Sequence, residues 1–338
     1  MTTDQPQKPI LVASATATTG SATVRALSAM GVPARAMVRK LDDPRAQELA
    51  ALQGVTTVEG DFNDASSVAA MLNGGVSRCL LVSGGFSYEQ FARETLFIEA
   101  AAKANLEVIL QVSTASLLIK PGTKGAYGRA HHEIEAFAKV GGYPVVHLNP
   151  SWFLSNWLDS AGEAKTSGKI SLPCKGNGPA DFHMIDPRDI GDAAATILTL
   201  SSDDLKPFLD KKNIEIHGPA PSNFSDVAGA LSEAVGYTIE VQQVPRETYI
   251  STLAGFGIPR VFCTSLTETI EQVDGVVPPG YEYYGSDGGR STWEVSTNSP
   301  ELLKVWKPKY NVGDWANSDT VKAAFRKKDR ELYRSKTK

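Results

Sequence analysis

Tyr127 and His131 are four residues apart in a stretch with helical spacing, so a helix there would place both side chains on one face. A phenol can donate a proton, and an imidazole can hold a hydroxyl group. Ser113 and Thr114 follow a predicted strand, and their hydroxyls could hydrogen-bond a substrate carbonyl. These four residues form the predicted catalytic group. The alternative is that Tyr127 is a loop aromatic and His131 a surface residue.

A second group of residues follows the apolar run 10–13, where a turn of small side chains leads to a helix near Gly20. A dinucleotide-binding domain holds its pyrophosphate at such a turn, which typically carries three glycines. Here Ser14 and Ala17 occupy two of the glycine positions. Hydroxyl groups and free N–H groups could still bind a phosphate. The candidates for phosphate binding are Ser14, Thr16, Thr18, Thr19 and Gly20. From these residues alone, the protein could either bind a dinucleotide or have lost that ability.

Five further candidates follow the ends of predicted strands, where a doubly wound sheet binds its ligand. Arg39 follows the second strand, where a basic side chain would meet the 2′-phosphate of NADP and an acidic one would favour NAD. Asp61 and Phe62 follow the third strand, near an adenine, and Ser83 and Gly84 follow the fourth, along a ribose. The alternatives are a solvated strand end for Arg39 and turn-forming roles for the others.

Short apolar runs alternate with helical patterns over residues 9–150, which predicts a dinucleotide-binding domain. The predicted strands are residues 10–13, 34–38, 56–59, 78–82, 108–113 and 145–149. Residues 151–274 are predicted to form a smaller lobe, with some of their segments joining the main sheet. We predict that residues 1–8 are disordered. Residues 275–338 are predicted to form a tail that contains a basic terminal helix. The fold class is therefore α/β, with a Rossmann-like doubly wound parallel sheet, a smaller C-terminal α/β lobe and an extra C-terminal tail.

The composition narrows the functional classes. The 338 residues are 42% hydrophobic and 21% charged, as in ordinary globular proteins, and the net charge of −4 favours neither nucleic acid nor membrane. The three cysteines are widely spaced, so no metal site or disulfide framework is predicted. No apolar run approaches the roughly 20 residues of a membrane span. The polar start does not resemble a secretory signal, and we expect a cytoplasmic protein.

Several ordered segments resemble the NmrA-like family, an atypical branch of the short-chain dehydrogenase/reductase superfamily. Residues 14–20 lie where the family has Gly-Ala-Thr-Gly-x-x-Gly, and residues 58–64 resemble its third-strand stretch. Residues 131–135 resemble its Lys-x-x-x-Glu helix, and residues 148–156 its Leu-Arg-Pro-x-x-Phe-x-x-Asn stretch. Residues 186–190 resemble its later Asp-Ile helix start. The order of these segments, more than any one of them, carries the resemblance.

The resemblance implies a domain that binds NADP(H) or NAD(P)(H), in reductases and in non-catalytic redox sensors. It adds Asn149 and Pro150 to the predicted cofactor site. The predicted substrate pocket comprises Ser116, Trp152, Phe153 and Asn156. The chain departs from the family pattern at its two missing glycines, at His131 in place of lysine and at Asn149 in place of arginine. The superfamily's active site is Tyr-x-x-x-Lys, so the resemblance implies the catalytic roles of Tyr127 and His131. A neutral imidazole would lower the pKa of a tyrosine less than a lysine does.

Three functions are consistent with these features. The first is an NADPH-dependent reductase of a bulky small organic molecule, a carbonyl, imine or activated alkene, in secondary metabolism, with Tyr127 as proton donor. The second is a dinucleotide-independent isomerase, cyclase or lyase, suggested by the degenerate glycine loop. The third is a non-catalytic NAD(P)-sensing regulator. We expect NADP(H) as cofactor, with no cofactor as the alternative, a small-molecule partner, no nucleic acid or membrane partner, and a monomer or homodimer.

Overall fold

The computed structural model of the chain describes residues 8–84, 87, 89–119, 125–174, 183–273 and 298–327. The chain divides into two compact units. The first unit comprises residues 1–151, 187–217 and 297–308, and the second comprises residues 152–186, 218–296 and 309–338. Of the predicted C-terminal tail, therefore, only residues 298–327 lie within the described ranges.

The structure describes nine strands, and the first six follow the predicted runs closely. The nine strands are β1 (Ile10–Val12), β2 (Ala34–Val38), β3 (Val55–Glu59), β4 (Arg78–Leu81), β5 (Val108–Val112), β6 (Val145–Pro150), β7 (Lys169–Leu172), β8 (Asn213–Ile216) and β9 (Glu240–Gln243). Seven of them form one sheet in the order β3-β2-β1-β4-β5-β6-β8, and every neighbouring pair is parallel. The strand order reverses between β1 and β4. In a doubly wound sheet, the carboxyl ends of the strands at such a reversal form the ligand crevice.

The described helices are α1 (Thr18–Ala29), α2 (Pro44–Ala50), α3 (Ala65–Leu72), α4 (Gln90–Lys103), α5 (Ala126–Val140), α6 (Ala161–Ser167), α7 (Pro187–Thr199), α8 (Ser202–Lys211), α9 (Phe224–Val235), α10 (Arg246–Gly255), α11 (Arg260–Val273), α12 (Pro300–Val305), α13 (Val312–Ala316) and α14 (Asp319–Phe325). Short 3₁₀ turns lie at Ser116–Leu118 and Leu154–Ser160. None of the helices in the described ranges is long and apolar enough to cross a membrane.

Helices cover both faces of the sheet in the first unit. Side chains of α3, α4 and α5, among them Met71, Phe97 and Ile134, form one apolar cluster with Leu11 of β1 and Ile109 of β5. Helices α1 and α7 pack against each other, and α7 also contacts β4 and β5. The predicted α/β class with a doubly wound parallel sheet is therefore confirmed.

The second unit has its own apolar core and a two-stranded parallel sheet formed by β7 and β9. Trp157 is buried there, with its ring 5.6 Å from that of Phe224 at the start of α9. Helix α9 begins at Asn223, whose side chain accepts the N–H of Asp226 in a capping box. Helices α13 and α14 contribute further buried side chains to this core. A helix is predicted from residue 319 to 333, but α14 ends at Phe325, and Arg326 after it has an extended backbone conformation.

In the first unit, Gly20 and Gly191 lie unusually close to the backbone of another segment. Gly191 lies where α7 crosses α1, and Gly20 lies beside the turn after β1. A Cβ atom at Gly191 would lie 2.5 Å from the Cβ of Ala22 and 2.6 Å from its carbonyl carbon. Because these neighbours belong to a helix backbone, they cannot move aside as a flexible side chain would. The interhelical distance therefore depends on the absence of a side chain at Gly191.

The substitution Gly191→Ala should lower the free energy of unfolding by about 1–3 kcal/mol, the usual cost of overpacking. Gly229→Ala is the matched control, because Gly229 is also a helical glycine but a Cβ there meets open space. The control should raise stability by about 0.5–1 kcal/mol through helix propensity. Urea unfolding followed by circular dichroism measures both changes. Equal or greater stability of Gly191→Ala relative to the control would contradict this account of the packing.

Candidate functional site

The amino terminus of α1 differs from those of α2 and α3. Asp43 and Asp64, the residues before α2 and α3, each accept a first-turn N–H with their carboxylates. The residue before α1 is Ala17, which makes no side-chain cap, and the first turn of α1 carries no acidic residue. Helices α4 and α5 also begin without a side-chain cap, but α1 directly follows the tight turn after β1, and an anion is the acceptor that such a helix start favours.

The turn between β1 and α1 keeps a glycine-loop geometry although two glycines are replaced. Ser14 has a φ of 47°, in the left-handed region that favours glycine. Its carbonyl oxygen accepts the N–H of Ala17 at 2.9 Å and closes the turn. A Cβ atom at Gly20 would lie 2.4 Å from the same carbonyl oxygen, so only glycine fits there. The single retained glycine is the one that this close approach requires.

The residues of the turn differ in how accessible they are. Thr18 is exposed, and Ser14 and Thr16 are half-buried, so their hydroxyls stand beside the uncapped helix start. Thr19 is buried, and its carbonyl oxygen accepts the hydroxyl of Thr23 at 2.9 Å. Backbone N–H groups and the three more accessible hydroxyls therefore fit a phosphate better than Thr19 does.

The predicted residues at the other strand ends lie at the same sheet edge, but they differ in exposure and in the contacts they make. Arg39 is exposed directly after β2. Asp61 accepts the backbone N–H of Asn63 at 2.8 Å, which is the turn-forming role given as its alternative. The ring of Phe62 is buried and lies 5.7 Å from that of Phe97, so it belongs to the apolar core. Ser83 is half-buried and the following Gly84 is exposed.

Tyr127 and His131 both lie on α5, as their spacing predicts, and their rings are 4.8 Å apart in an edge-to-face arrangement. His131 is buried, so the alternative of a surface histidine is wrong. Burial lowers the pKa of His131 to about 4. Burial also raises the pKa of Tyr127 to about 12, and a hydrogen bond with Thr114 opposes this only in part. At neutral pH the pair is a neutral imidazole beside a protonated phenol.

Polar side chains line one face of three neighbouring strands beneath α4 and α5. The register pairs Gln111 of β5 with His147 of β6, and His147 with Asn213 of β8. Two residues further along β6 and β8, Asn149 pairs with Glu215. Alternate residues of a strand face the same way, so these side chains share a face with Ser113. Together with Gln90 and Glu94 of α4 and His131 and Glu135 of α5, they form what we call the polar layer.

Hydrogen bonds connect the members of the polar layer in two directions from His131. On one side, Nε2 of Gln90 lies 3.1 Å from Nε2 of His131 and 3.2 Å from Oε1 of Glu94. On the other, Oγ of Ser113 lies 3.4 Å from Nδ1 of His131 and donates to Oε1 of Glu135 at 3.0 Å. His131 is therefore held from both ring nitrogens, with a carboxyl group beyond each neighbour.

Further hydrogen bonds link the strand residues of the polar layer to Glu94 and Glu135 on the helices and to one another. The Gln111 amide donates to Oε2 of Glu94 at 2.9 Å, and its carbonyl oxygen lies 2.8 Å from Nδ1 of His147. Asn213 donates to Oε2 of Glu135 at 2.9 Å. The polar layer thus satisfies most of its own members, as buried polar groups require.

Sequence reasoning missed most of the polar layer. Its members outside the predicted site are Gln90, Glu94, Gln111, Glu135, His147, Asn213 and Glu215. A signal was present, because polar residues interrupt the apolar sequence of the buried strands β5 and β6, at Gln111 and at His147 and Asn149. Which strands lie side by side, however, follows only from the sheet order.

Three residues predicted to touch the cofactor or substrate make internal contacts here. Asn149 is fully buried and donates through Nδ2 to the carbonyl oxygen of Thr114 at 2.9 Å. Pro150 is buried at the end of β6. The hydroxyl of Ser116 donates to Glu215. Their contacts hold the loop after β5 against the neighbouring strands.

The other predicted pocket residues belong to the second unit. Trp152 packs against its apolar core, Phe153 forms a backbone bridge with Ile185, and Asn156 is exposed. Their assignment to a substrate pocket stays a prediction.

The lowered pKa of His131 makes stability depend on pH. The unfolded chain, with a histidine pKa of about 6.5, binds more protons than the folded chain as pH falls toward about 4, so stability falls with pH in this window. The contribution of His131 is on the order of 3 kcal/mol. His131→Gln should flatten the dependence of urea-unfolding free energy on pH between about 4.5 and 7. His132→Gln is the control and should keep the original slope, and an unchanged slope in His131→Gln would contradict the burial of a neutral imidazole.

Comparisons with known proteins agree with this architecture. A model of the NmrA-like family matches residues 6–311. The NAD(P)H azoreductase of Xenophilus azovorans is 29% identical over 272 residues, which cover 80% of this chain and 88% of the relative. Quinone oxidoreductase 2 of Escherichia coli (strain K12) is 23% identical over 68% of this chain and 75% of the relative.

Solved structures show the same fold. The triphenylmethane reductase of Citrobacter sp., complexed with NADP(H), superimposes with a TM-score of 0.68 at 23% identity and covers 94% of this chain and 99% of its own. NmrA, a negative transcriptional regulator, gives a TM-score of 0.65 at 17% identity, with 93% and 95% covered. Since the family model spans most of the sequence, the chain belongs to the NmrA-like family.

Proposed function

We propose that this protein is an NADP(H)-dependent reductase of a bulky small organic molecule. The observation that carries the proposal is the uncapped start of α1 at the strand-order reversal, held against the turn by the close approach at Gly20. Backbone N–H groups at such a helix start bind a pyrophosphate. The names of the relatives, an NAD(P)H azoreductase and a quinone oxidoreductase, support the same class of reaction.

The residues of this chain would divide the binding of NADP(H) among them. The N–H groups of the first turn of α1, with Thr16 and Thr18, would hold the pyrophosphate. Arg39 would pair with the 2′-phosphate, and Ser83 and Gly84 would lie along a ribose. When bound, the reduced cofactor supplies a hydride to the acceptor.

Tyr127 would supply the proton that balances the reduction. Because burial raises the pKa of Tyr127 to about 12, its hydroxyl stays protonated at neutral pH and releases its proton only to a strongly basic atom. Reduction of a carbonyl, imine or activated alkene generates such an oxygen, nitrogen or carbon. Thr114 would orient the phenol through their hydrogen bond.

A second candidate is a non-catalytic NADP(H)-binding regulator. The observation that favours it is the neutral His131, which supplies no cation to acidify Tyr127. A third, dinucleotide-independent isomerase, cyclase or lyase chemistry, would use the same residues without the helix start. Turnover that requires NADPH supports the reductase, binding without turnover supports the regulator, and turnover without nucleotide supports the third candidate.

Arg39→Gln should weaken NADPH binding about tenfold or more, because the 2′-phosphate loses a charge-assisted hydrogen bond. NADH lacks that phosphate, so its affinity should stay unchanged. Isothermal titration calorimetry with both nucleotides measures this difference. Lys40→Gln, which removes the neighbouring exposed cation, is the control and should change NADPH affinity less. Equal losses for NADPH and NADH in Arg39→Gln would show that Arg39 does not read the 2′-phosphate.

Tyr127→Phe should lower the kcat of NADPH-dependent reduction about 10²–10⁴-fold, the usual contribution of a general acid. The phenylalanine ring can keep the edge-to-face contact with His131, so NADPH affinity and fold should be preserved. Steady-state kinetics with a panel of quinones and azo compounds provides the measurement. Tyr143→Phe, which alters a tyrosine packed against Phe137, is the control and should retain full kcat. Full activity in Tyr127→Phe would remove Tyr127 from the reaction.

A further inference from the structure

Glu94 is a carboxylic acid buried within the first unit at the centre of the polar layer. Its side chain lies on α4 and is 1% exposed. Oε1 accepts the hydroxyl of Ser83 at 2.6 Å and the amide of Gln90 at 3.2 Å, and Oε2 accepts the amide of Gln111 at 2.9 Å. All three partners are uncharged, and the Ser83 hydroxyl, 2.6 Å from Oε1, can accept the proton of a protonated Glu94 carboxyl as well as donate to a carboxylate.

The groups that face Glu94 come from α4, β5, α5 and the loop after β4, and none is a cation at neutral pH. The titratable ones are Tyr127 and His131 on α5, with His147 of β6 beyond Gln111. The family pattern has lysine at position 131, but the neutral His131 of this chain cannot offset a negative charge. Within the described ranges, Glu94 forms no ion pair with a lysine or arginine. An unpaired buried carboxylate costs several kcal/mol.

Ionisation of Glu94 would affect Tyr127, because a short series of contacts connects the two side chains. The amide of Gln90 bridges Glu94 and His131, and the His131 ring contacts the ring of Tyr127. Along these contacts, only Gln90 and His131 separate a negative charge on Glu94 from one forming on the phenol, and the charge of Glu94 contributes to the raised pKa of Tyr127. In a buried site, two like charges at such a separation disfavour each other.

We propose that Glu94 keeps its proton at neutral pH and that this uncharged state allows Tyr127 to release its own proton during reduction. The proton of the Tyr127 hydroxyl moves to the acceptor atom, the phenolate later regains a proton from water, and the Glu94 proton stays in place. Ionisation of Glu94 at higher pH opposes the phenolate and slows the reaction. Glu94 touches no reacting atom, so it is a positioning residue. The kinetic role rests on the proposed reductase function, whereas the protonation does not.

The chemistry of the neighbouring groups supports this assignment. Burial raises the pKa of Glu94, and the three neutral donors oppose that effect only in part. The pKa of His131 is lowered to about 4, that of His147 is lowered to about 3, and that of Tyr127 is raised to about 12. None of these three groups changes charge between neutral and moderately alkaline pH. Glu135, whose pKa burial also raises, is the other carboxyl in the polar layer and must be distinguished by experiment.

The direct test is infrared spectroscopy of the full-length protein without nucleotide. Wild type at neutral pH should show a protonated-carboxyl C=O band that shifts in deuterated water and disappears in Glu94→Gln. The band should persist in Glu133→Gln, which alters an exposed carboxylate of α5. A wild-type spectrum that does not differ from that of Glu94→Gln in this region would overturn the protonation of Glu94.

The kinetic test is the pH dependence of kcat for NADPH-dependent reduction. In the wild type, kcat should fall at alkaline pH with the midpoint at which the infrared band disappears. Glu94→Gln, which is always uncharged, should lack this fall, whereas Glu135→Gln should keep it. A fall that persists in Glu94→Gln, or that vanishes in Glu135→Gln, would overturn the kinetic role.

A second variant covers the case in which Glu94→Gln does not fold. Gln90→Met removes a donor to Glu94 and keeps the side-chain volume, so it should disfavour the carboxylate. The infrared and kinetic midpoints should both move to higher pH, by about one unit. Unmoved midpoints would contradict the proposal. Wild-type protein without NADPH-dependent turnover would contradict the proposed function and the kinetic role together, and the infrared band would still decide the protonation.

Discussion

The close contacts that fix helix α1 are the constraint on which the rest of the first unit depends. At its start, Gly20 lets the helix lie directly against the carbonyl oxygen of Ser14, and along its length Gly191 of α7 lets a second helix approach Ala22. A side chain at either glycine would displace α1 from the edge of the sheet. The direction of its first-turn N–H groups is therefore set by packing, and an intact three-glycine turn is not needed to set it.

This constraint explains how the turn can tolerate Ser14. A residue other than glycine in the left-handed region costs on the order of 1 kcal/mol, which is small beside the packing that holds α1 between the turn and α7. Ala17 is exposed at the surface of the turn, so its methyl group changes the approach of a phosphate without changing the path of the backbone. The degenerate motif thus weakens one feature of a dinucleotide site and leaves its main anion-binding feature in place.

The polar layer shows how the other departures from the family pattern fit together. Two positions where the family pattern has a cation carry the uncharged His131 and Asn149. Buried charges are costly when unpaired, so the loss of the cations makes uncharged partners favourable. The structure agrees with this, since burial lowers the pKa of His131 and raises the pKa of Glu94 and Glu135. The side chains that hydrogen-bond Glu94 in this layer are accordingly all uncharged.

Local patterns predicted the elements well and their partners poorly. The spacing of apolar residues predicted β2 residue for residue, and the interval between Tyr127 and His131 predicted their shared helix face. Helix α8 was not predicted, since it carries Pro207, which argues against a helix. The polar layer joins strands distant in sequence, so its hydrogen bonds follow from sheet order and register and from no local signal.

The central claim is that the uncapped start of α1 binds the pyrophosphate of NADP(H). Calorimetric titration of the wild-type protein with NADPH, and with reduced nicotinamide mononucleotide as a ligand that lacks the pyrophosphate, tests it most directly. The account predicts saturable NADPH binding at micromolar concentrations and affinity for the mononucleotide weaker by about 100-fold or more. Absence of NADPH binding up to about millimolar concentrations, or equal affinity for the two ligands, would contradict it.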